Sequence, residues 1–161
     1  MKRVLSAFLI LSVAAVAAWS SDSLKLNGEE LGPITGVELL DDGANPSSGS
    51  YTWDFRICTG GCSVLKNEGR GNCLRLDTNT PGAGVLGSSY RVQPNRNAGA
   101  ITGGSLYTGS QAGFGYENEY IIKSGNGSIT ENGGSTEMKM TFTTYGGDTI
   151  SVEYSGPVTK R

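Results

Sequence analysis

Histidine is absent from the 161 residues, and this absence removes several kinds of chemistry. Ser-His-Asp and Cys-His catalysis and every histidine-ligated metal site are excluded for this chain alone. Three cysteines without histidine make an incomplete zinc set, so we expect no metal and no cofactor. The charge is nearly balanced, at a formal −2, which argues against a nucleic-acid partner because such proteins carry a basic excess.

Long apolar runs are missing after residue 20, but one precedes it. Lys2 and Arg3 give a positive start, and Val4–Ala18 is mostly apolar. Small residues at a signal-peptidase spacing follow, and together these features predict a secretory signal peptide over residues 1–20. An uncleaved membrane anchor is the alternative, although the run is shorter than the ~20 residues that span a bilayer. We therefore expect a single extracellular β domain, 21–161, with no membrane contact after cleavage.

Helical periodicity is also missing from the predicted mature chain, whereas strand periodicity is plain. In Tyr51–Cys58, large apolar residues alternate with polar ones. A hairpin follows near the end, where Met138–Thr143 and Ile150–Ser155 alternate in the same way around a Gly-Gly turn. The 25 glycines and many turn signals predict an all-β fold of about eight strands, a barrel or alternatively a β-sandwich.

The cysteines lie close together in the sequence, and strand parity predicts how they pair. Cys58 lies on the polar face of one strand and Cys73 on the polar face of the next. If these strands form a hairpin, both sulfurs point to the same side. A disulfide between them would contribute roughly 3 kcal/mol and leave Cys62 as a free thiol. Pairing of Cys62 with Cys73, or of Cys58 with Cys62, remains open.

Carboxylates and tyrosines supply the candidate site residues. Acid chemistry requires a carboxylate whose pKa is raised in an apolar cavity, and a tyrosine can bind a ring. Asp54 is expected to face solvent beside Arg56, and the acidic loop after Leu40 to be a solvated turn rather than a calcium site. Asn126 begins an N-glycosylation motif that applies if the host is eukaryotic. The ligand-binding candidates are Asp41, Asp42, Tyr107, Tyr116 and Glu117, with Glu119 as a further acid.

The order of these segments resembles that of the allene oxide cyclase and dirigent-type barrel superfamily. An early strand ends in the paired acid Asp41-Asp42, a later strand ends in Cys58, and Cys73 opens the next one. The segment that carries the resemblance furthest is the glycine-rich stretch Ala100–Gly115, with Ile101-Thr102-Gly103-Gly104-Ser105 followed by an aromatic. The segment departs from the family pattern, since Leu106 replaces a glycine there.

The resemblance implies a closed eight-stranded antiparallel barrel whose interior binds a hydrophobic small molecule, often in a homo-oligomer. It maps an acidic site to Asp41 and Asp42 and no other active-site residue, so we expect no enzymatic activity. We therefore predict a secreted, non-catalytic module that binds a small molecule or interacts with an extracellular partner. One alternative is a dirigent- or cyclase-like protein that steers a reactive intermediate. The other is a sandwich that binds extracellular glycans on exposed rings such as Tyr51 and Trp53.

Overall fold

The described part of the chain is all-β, as predicted. The computed structural model describes residues 22–63, 66, 68–83, 86–87, 89–111 and 115–161, and the predicted signal peptide lies outside them. Within these ranges the regular structure is strand, and no helix long and apolar enough to cross a membrane occurs there.

The described residues form eleven strands, several of them short. Two have only two residues, which accounts for part of the difference from the predicted eight. The strands are β1 Ser23–Leu26, β2 Glu29–Glu30, β3 Ile34–Asn45, β4 Ser50–Thr59, β5 Arg70–Thr80, β6 Ser89–Val92, β7 Ala100–Gln111, β8 Asn118–Asn132, β9 Ser135–Thr144, β10 Thr149–Gly156 and β11 Thr159–Lys160.

All eleven strands belong to one strongly curled sheet with the shape of a half-barrel. Its order is β11-β3-β4-β5-β7-β6-β8-β9-β10-β1-β2, with β7 also paired to β8. Neighbours are antiparallel except for β6 with β7 and β11 with β3. The predicted hairpins β4–β5 and β9–β10 are both present.

The core lies on one face of this sheet because large apolar residues recur with period two. On β4, Trp53, Phe55 and Ile57 are buried as their alternation predicts. On β9 and β10 the alternating residues are buried in the same way, and Phe142 lies opposite Ile150. We call this side the core face. The opposite side, which carries the intervening residues, is called the outer face.

The register of β3, β4, β5 and β7 arranges the outer face in rows. One row runs from Glu38 through Arg56 and Arg75 to Ser105. The neighbouring row on one side holds Cys58 and Cys73, followed by Tyr107. The row on the other side holds Asp54 and Asp77, followed by Gly103. Asp54, Arg56, Arg75 and Asp77 therefore form one charged block on the outer face of β4 and β5.

The glycines of β7 permit the close approach of β5. A Cβ added at Gly104 would lie 2.7 Å from the carbonyl oxygen of Arg75 and 2.9 Å from a methyl of Leu76. These distances are too short for any other residue without movement of the backbone. The glycine-rich stretch after residue 100 is thus a central strand. Residues 112–114 lie outside the described residues.

Candidate functional site

A buried carboxylate anchors the outer face. The Asp54 residue is only 3% exposed, although it lies on the side of the sheet away from the core. Arg56 donates to its Oδ2 from Nε at 3.0 Å and from Nη2 at 2.6 Å, and Arg75 donates from Nε to its Oδ1 at 3.2 Å. The prediction that Asp54 faces solvent is wrong, because the two arginines cover it.

Arg75 is held on its other side as well. Its Nη2 lies 3.4 Å from Oδ1 of Asp77, so the guanidinium bridges two carboxylates. Partial burial disfavours its charge, but Asp54 and Asp77 outweigh this effect and raise the pKa of Arg75. The side chain is still 46% exposed. Because an arginine has five N–H donors, a fixed and fully charged guanidinium presents further donors to solvent.

Beside Arg75 the outer face has a cleft walled by two tyrosines. The rings of Tyr107 and Tyr116 lie 4.9 Å apart between centroids, with planes tilted by 48°. The volume of the cleft is about 160 Å³. We call it the tyrosine–arginine cleft. Its lining residues include Arg56, Cys73, Arg75, Tyr107, Ser110 and Tyr116.

Both tyrosines of the cleft keep their phenolic protons at neutral pH. Tyr116 donates a hydrogen bond to Oε2 of Glu119 at 3.2 Å, and this bond raises the pKa of Tyr116. Partial burial raises the pKa of Tyr107, and the charge of Glu119 adds to the effect. The cleft therefore combines two neutral phenol rings with a positive guanidinium.

Asp41 and Asp42, the predicted acid pair, have different roles in the structure. Oδ1 of Asp41 accepts a hydrogen bond from the backbone N–H of Gly43 at 2.7 Å, which shapes a bulge in β3. Asp42 lies instead at a second outer-face cleft of about 340 Å³, together with Asp77 and Arg96. Partial burial raises the pKa of Asp42, and the negative charge of Asp54 raises it further.

Two other predicted residues lie apart from the cleft lining. Glu117 forms an exposed ion pair with Arg70 and packs over Gly109, where an added Cβ would lie 2.6 Å from its Cδ. Asn126 is exposed on β8, paired with Thr141 of β9. Of the five ligand-binding candidates, the structure brings only Tyr107 and Tyr116 together in one cleft.

The arginines were not among the predicted site residues, yet a signal for them existed. Pairing Cys58 with Cys73 in a hairpin places Arg56 opposite Arg75 two positions further along. The same register places Asp54 opposite Asp77. Extending the predicted disulfide register along both strands would therefore have found the charged block.

The predicted disulfide is confirmed. Cys58 and Cys73 are bonded across the β4–β5 ladder, with a Cα–Cα distance of 4.3 Å. Cys62 is a free, buried thiol, and the three sulfurs lie within 4.8 Å of one another. Because two of them are joined to each other, they do not offer three thiolates to a metal in this state.

Trp53 leaves one polar atom unpaired on the core face. The tryptophan is 4% exposed, and its indole Nε1 has no hydrogen-bond partner among the described residues. Tyr51 is partly buried against the same core. These two rings therefore do not form the exposed platform that a glycan-binding sandwich requires.

No family model matches this chain, and neither the curated proteins nor the solved structures include one similar to it. The resemblance to the dirigent and allene oxide cyclase type stays a prediction.

Proposed function

We propose that this protein is a non-catalytic extracellular module that binds a small molecule in the tyrosine–arginine cleft. The ligand has one planar or near-planar ring and one anionic group, such as a carboxylate. The observation that carries this proposal is the position of Arg75, fixed by Asp54 and Asp77 and still 46% exposed beside the tyrosine pair.

The guanidinium of Arg75 supports the anionic part of the ligand. Charge-assisted hydrogen bonds from arginine to a carboxylate are about twice as strong as neutral ones. An arginine already held by two carboxylates loses little side-chain freedom when a ligand binds, and such preorganisation favours affinity. A lysine at this position could not reproduce the two-pronged geometry.

The tyrosine pair and the size of the cleft support the proposal that the ligand carries a ring. Tyrosine offers a large apolar surface at low cost in conformational entropy. A cleft of about 160 Å³ is comparable in volume with an engineered cavity of ~150 Å³ that binds benzene in another protein. A single six-membered ring therefore fits the site.

A second candidate site rests on Trp53. Its buried, unpaired Nε1 would be satisfied by a water molecule or by an acceptor atom of a ligand on the core face. A ligand there would agree with the interior pocket that the dirigent-type resemblance implies. The steering reaction needs a carboxylate in an apolar interior, whereas Asp54 and Asp77 lie on the outer face. We therefore favour binding over catalysis.

The proposal includes closure of the curled sheet into a barrel of the dirigent type. Two short connections support it. Residues 31–33 lead from β2 to β3, and residues 157–158 lead from β10 to β11, which pairs with β3. Each connection joins two strands that lie at or near opposite ends of the strand order, which brings these two ends of the sheet together. The extracellular location follows from the predicted signal peptide.

Backbone amide shifts in an NMR titration test the proposal with three probes. Benzoate carries ring and charge, benzyl alcohol carries the ring alone, and acetate carries the charge alone. We expect benzoate to perturb the amides of Arg75, Tyr107 and Tyr116 at lower concentrations than either other probe. Equal responses to all three probes, or responses confined to residues away from the cleft, would refute it.

A further inference from the structure

Three sulfur atoms meet beneath the loop that joins β4 to β5. Cys58 and Cys73 form the disulfide, and Sγ of Cys62 lies 3.6 Å from Sγ of Cys73. Each cysteine is at most 4% exposed. At this separation the free thiol already touches one sulfur of the disulfide, which is the arrangement that thiol–disulfide exchange begins from.

The backbone of the loop fixes this contact. A Cβ added at Gly71 would lie 1.8 Å from the carbonyl oxygen of Thr59 and 3.3 Å from Cβ of Cys62. At Gly69 an added Cβ would lie 2.1 Å from the carbonyl oxygen of Gly61. Only glycines allow the two sides of the loop to close this tightly, and the closure holds Cys62 over the disulfide.

We propose that Cys58, Cys62 and Cys73 form an intramolecular thiol–disulfide exchange site. The thiolate of Cys62 attacks Sγ of Cys73, a Cys62–Cys73 bond forms and the Cys58–Cys73 bond breaks. Cys58 leaves as a thiolate and takes up the proton that Cys62 gave up. One disulfide and one thiol are present before and after, so no oxidant or reductant is consumed. The protein thus has two disulfide isomers.

Loop-closure entropy does not separate the two isomers. The two isomers close loops between cysteines 15 and 11 residues apart, which differ little in closure entropy. Native packing therefore decides their ratio.

This inference does not rest on ligand binding in the tyrosine–arginine cleft, although Cys73 borders that cleft. It concerns where the free thiol lies. In one isomer the thiol is Cys62, in the loop. In the other it is Cys58, on a central strand.

Mapping the free thiol tests the proposal in the unmodified protein. The folded protein is incubated at about pH 8.5, near the ordinary pKa of a thiol, then acid-quenched, unfolded and labelled with N-ethylmaleimide. Trypsin places Cys58 and Cys62 on one peptide, Ile57–Lys66, and Cys73 on another, Gly71–Arg75. Fragmentation then shows which cysteine of the first peptide is labelled. We expect label on both, with the Cys58 fraction growing over time. Label on Cys62 alone at every time overturns the proposal.

Two substitutions provide an independent check. Cys58→Ser retains Cys62 and Cys73, the two cysteines that form the new bond. Under oxidising conditions we expect its folded form to gain a Cys62–Cys73 disulfide with loss of two hydrogens. Cys62→Ser is the control, since it retains the original disulfide and should take up no label. A folded Cys58→Ser protein that keeps two labelled thiols under oxidising conditions contradicts the proposal. Should that variant not fold, the labelling of the unmodified protein decides.

Discussion

Nε of Arg75 lies 3.2 Å from Oδ1 of Asp54, across the ladder between two central strands. This contact joins the buried carboxylate of Asp54 to the partly exposed guanidinium of Arg75. Asp54 is shielded from water, whereas Arg75 reaches into the cleft beside Tyr107. A substitution at either residue should therefore affect both the stability of the fold and ligand binding. We expect Asp54 to contribute more to stability and Arg75 more to binding.

Arg75→Met should weaken benzoate binding while retaining the apolar stem of the side chain. A hydrogen bond to a charged group contributes about 1.5–3 kcal/mol, so we expect the dissociation constant to rise by about tenfold to a hundredfold. Arg75→Lys should fall between this variant and the unmodified protein because it keeps the charge and loses the planar fork. The measurement is the amide-shift titration with benzoate.

Arg70→Met is the matched control for that experiment. Arg70 pairs with exposed Glu117 outside the cleft lining, so its loss should leave benzoate affinity unchanged within about twofold. If Arg75→Met binds benzoate as well as Arg70→Met does, the role given to Arg75 is wrong.

Asp54→Asn should destabilise the fold. The substitution removes the charge that Arg56 and Arg75 share, and breaking a buried pair costs about 3 kcal/mol when the partner stays buried. Since Arg75 is partly exposed, we expect the lower figure of about 2 kcal/mol from urea unfolding. Asp77→Asn, at an exposed 3.4 Å contact, should cost less than about 0.5 kcal/mol. Equal losses for the two variants would show that Asp54 is not the anchor.

Gly71→Ala should destabilise the protein far more than Gly36→Ala. Both glycines lie in strands without a positive φ, so backbone strain does not separate them. A Cβ at residue 71 would collide with backbone, whereas at residue 36 nothing lies within 4 Å. We expect a loss of about 3 kcal/mol for Gly71→Ala and about 0.5 kcal/mol or less in either direction for Gly36→Ala. Thermal or urea unfolding of the pair measures this, and similar midpoints would disprove the close packing of the loop.

Tyr90 should make stability depend on alkaline pH. Burial raises the pKa of Tyr90 to about 12, above the ordinary value of about 10 in the unfolded chain. The folded state then holds the proton more tightly, so the contribution is complete below about pH 10 and is lost as pH rises through about 12.

Tyr90→Phe isolates the contribution that the Tyr90 hydroxyl makes to stability. At neutral pH the variant should be less stable by about 1 kcal/mol, because the N–H of Gly87 loses its acceptor at 3.0 Å. Near pH 11 the difference should narrow or reverse. Urea midpoints at the two pH values test it, and a difference that widens at alkaline pH would contradict the stated sign.

The features that could be predicted from the sequence are those that depend on residues close together along the chain. Alternation in β4 located Trp53, Phe55 and Ile57 in the core. Parity in β4 and β5 identified the Cys58–Cys73 disulfide. The turn between β9 and β10 was visible in its glycines. Each of these predictions uses only the two-residue period of a strand and the turn that follows it.

The site required information that single strands do not contain. Arg56 and Arg75 are unremarkable polar positions until the ladder places them side by side over Asp54. Tyr116 meets Tyr107 only because β8 pairs back onto β7. The burial of Asp54 was missed for the same reason, since alternation assigns it to the polar face but does not show that two arginines cover it.

Intermolecular nuclear Overhauser effects between bound benzoate and the protein show which face of the sheet binds the ligand. We expect contacts from the benzoate ring protons to the rings of Tyr107 and Tyr116, with no contact to the indole of Trp53. Contacts to Trp53 and to the core-face residues around it, without contacts to the two tyrosines, would contradict the proposal and place the ligand inside the curled sheet.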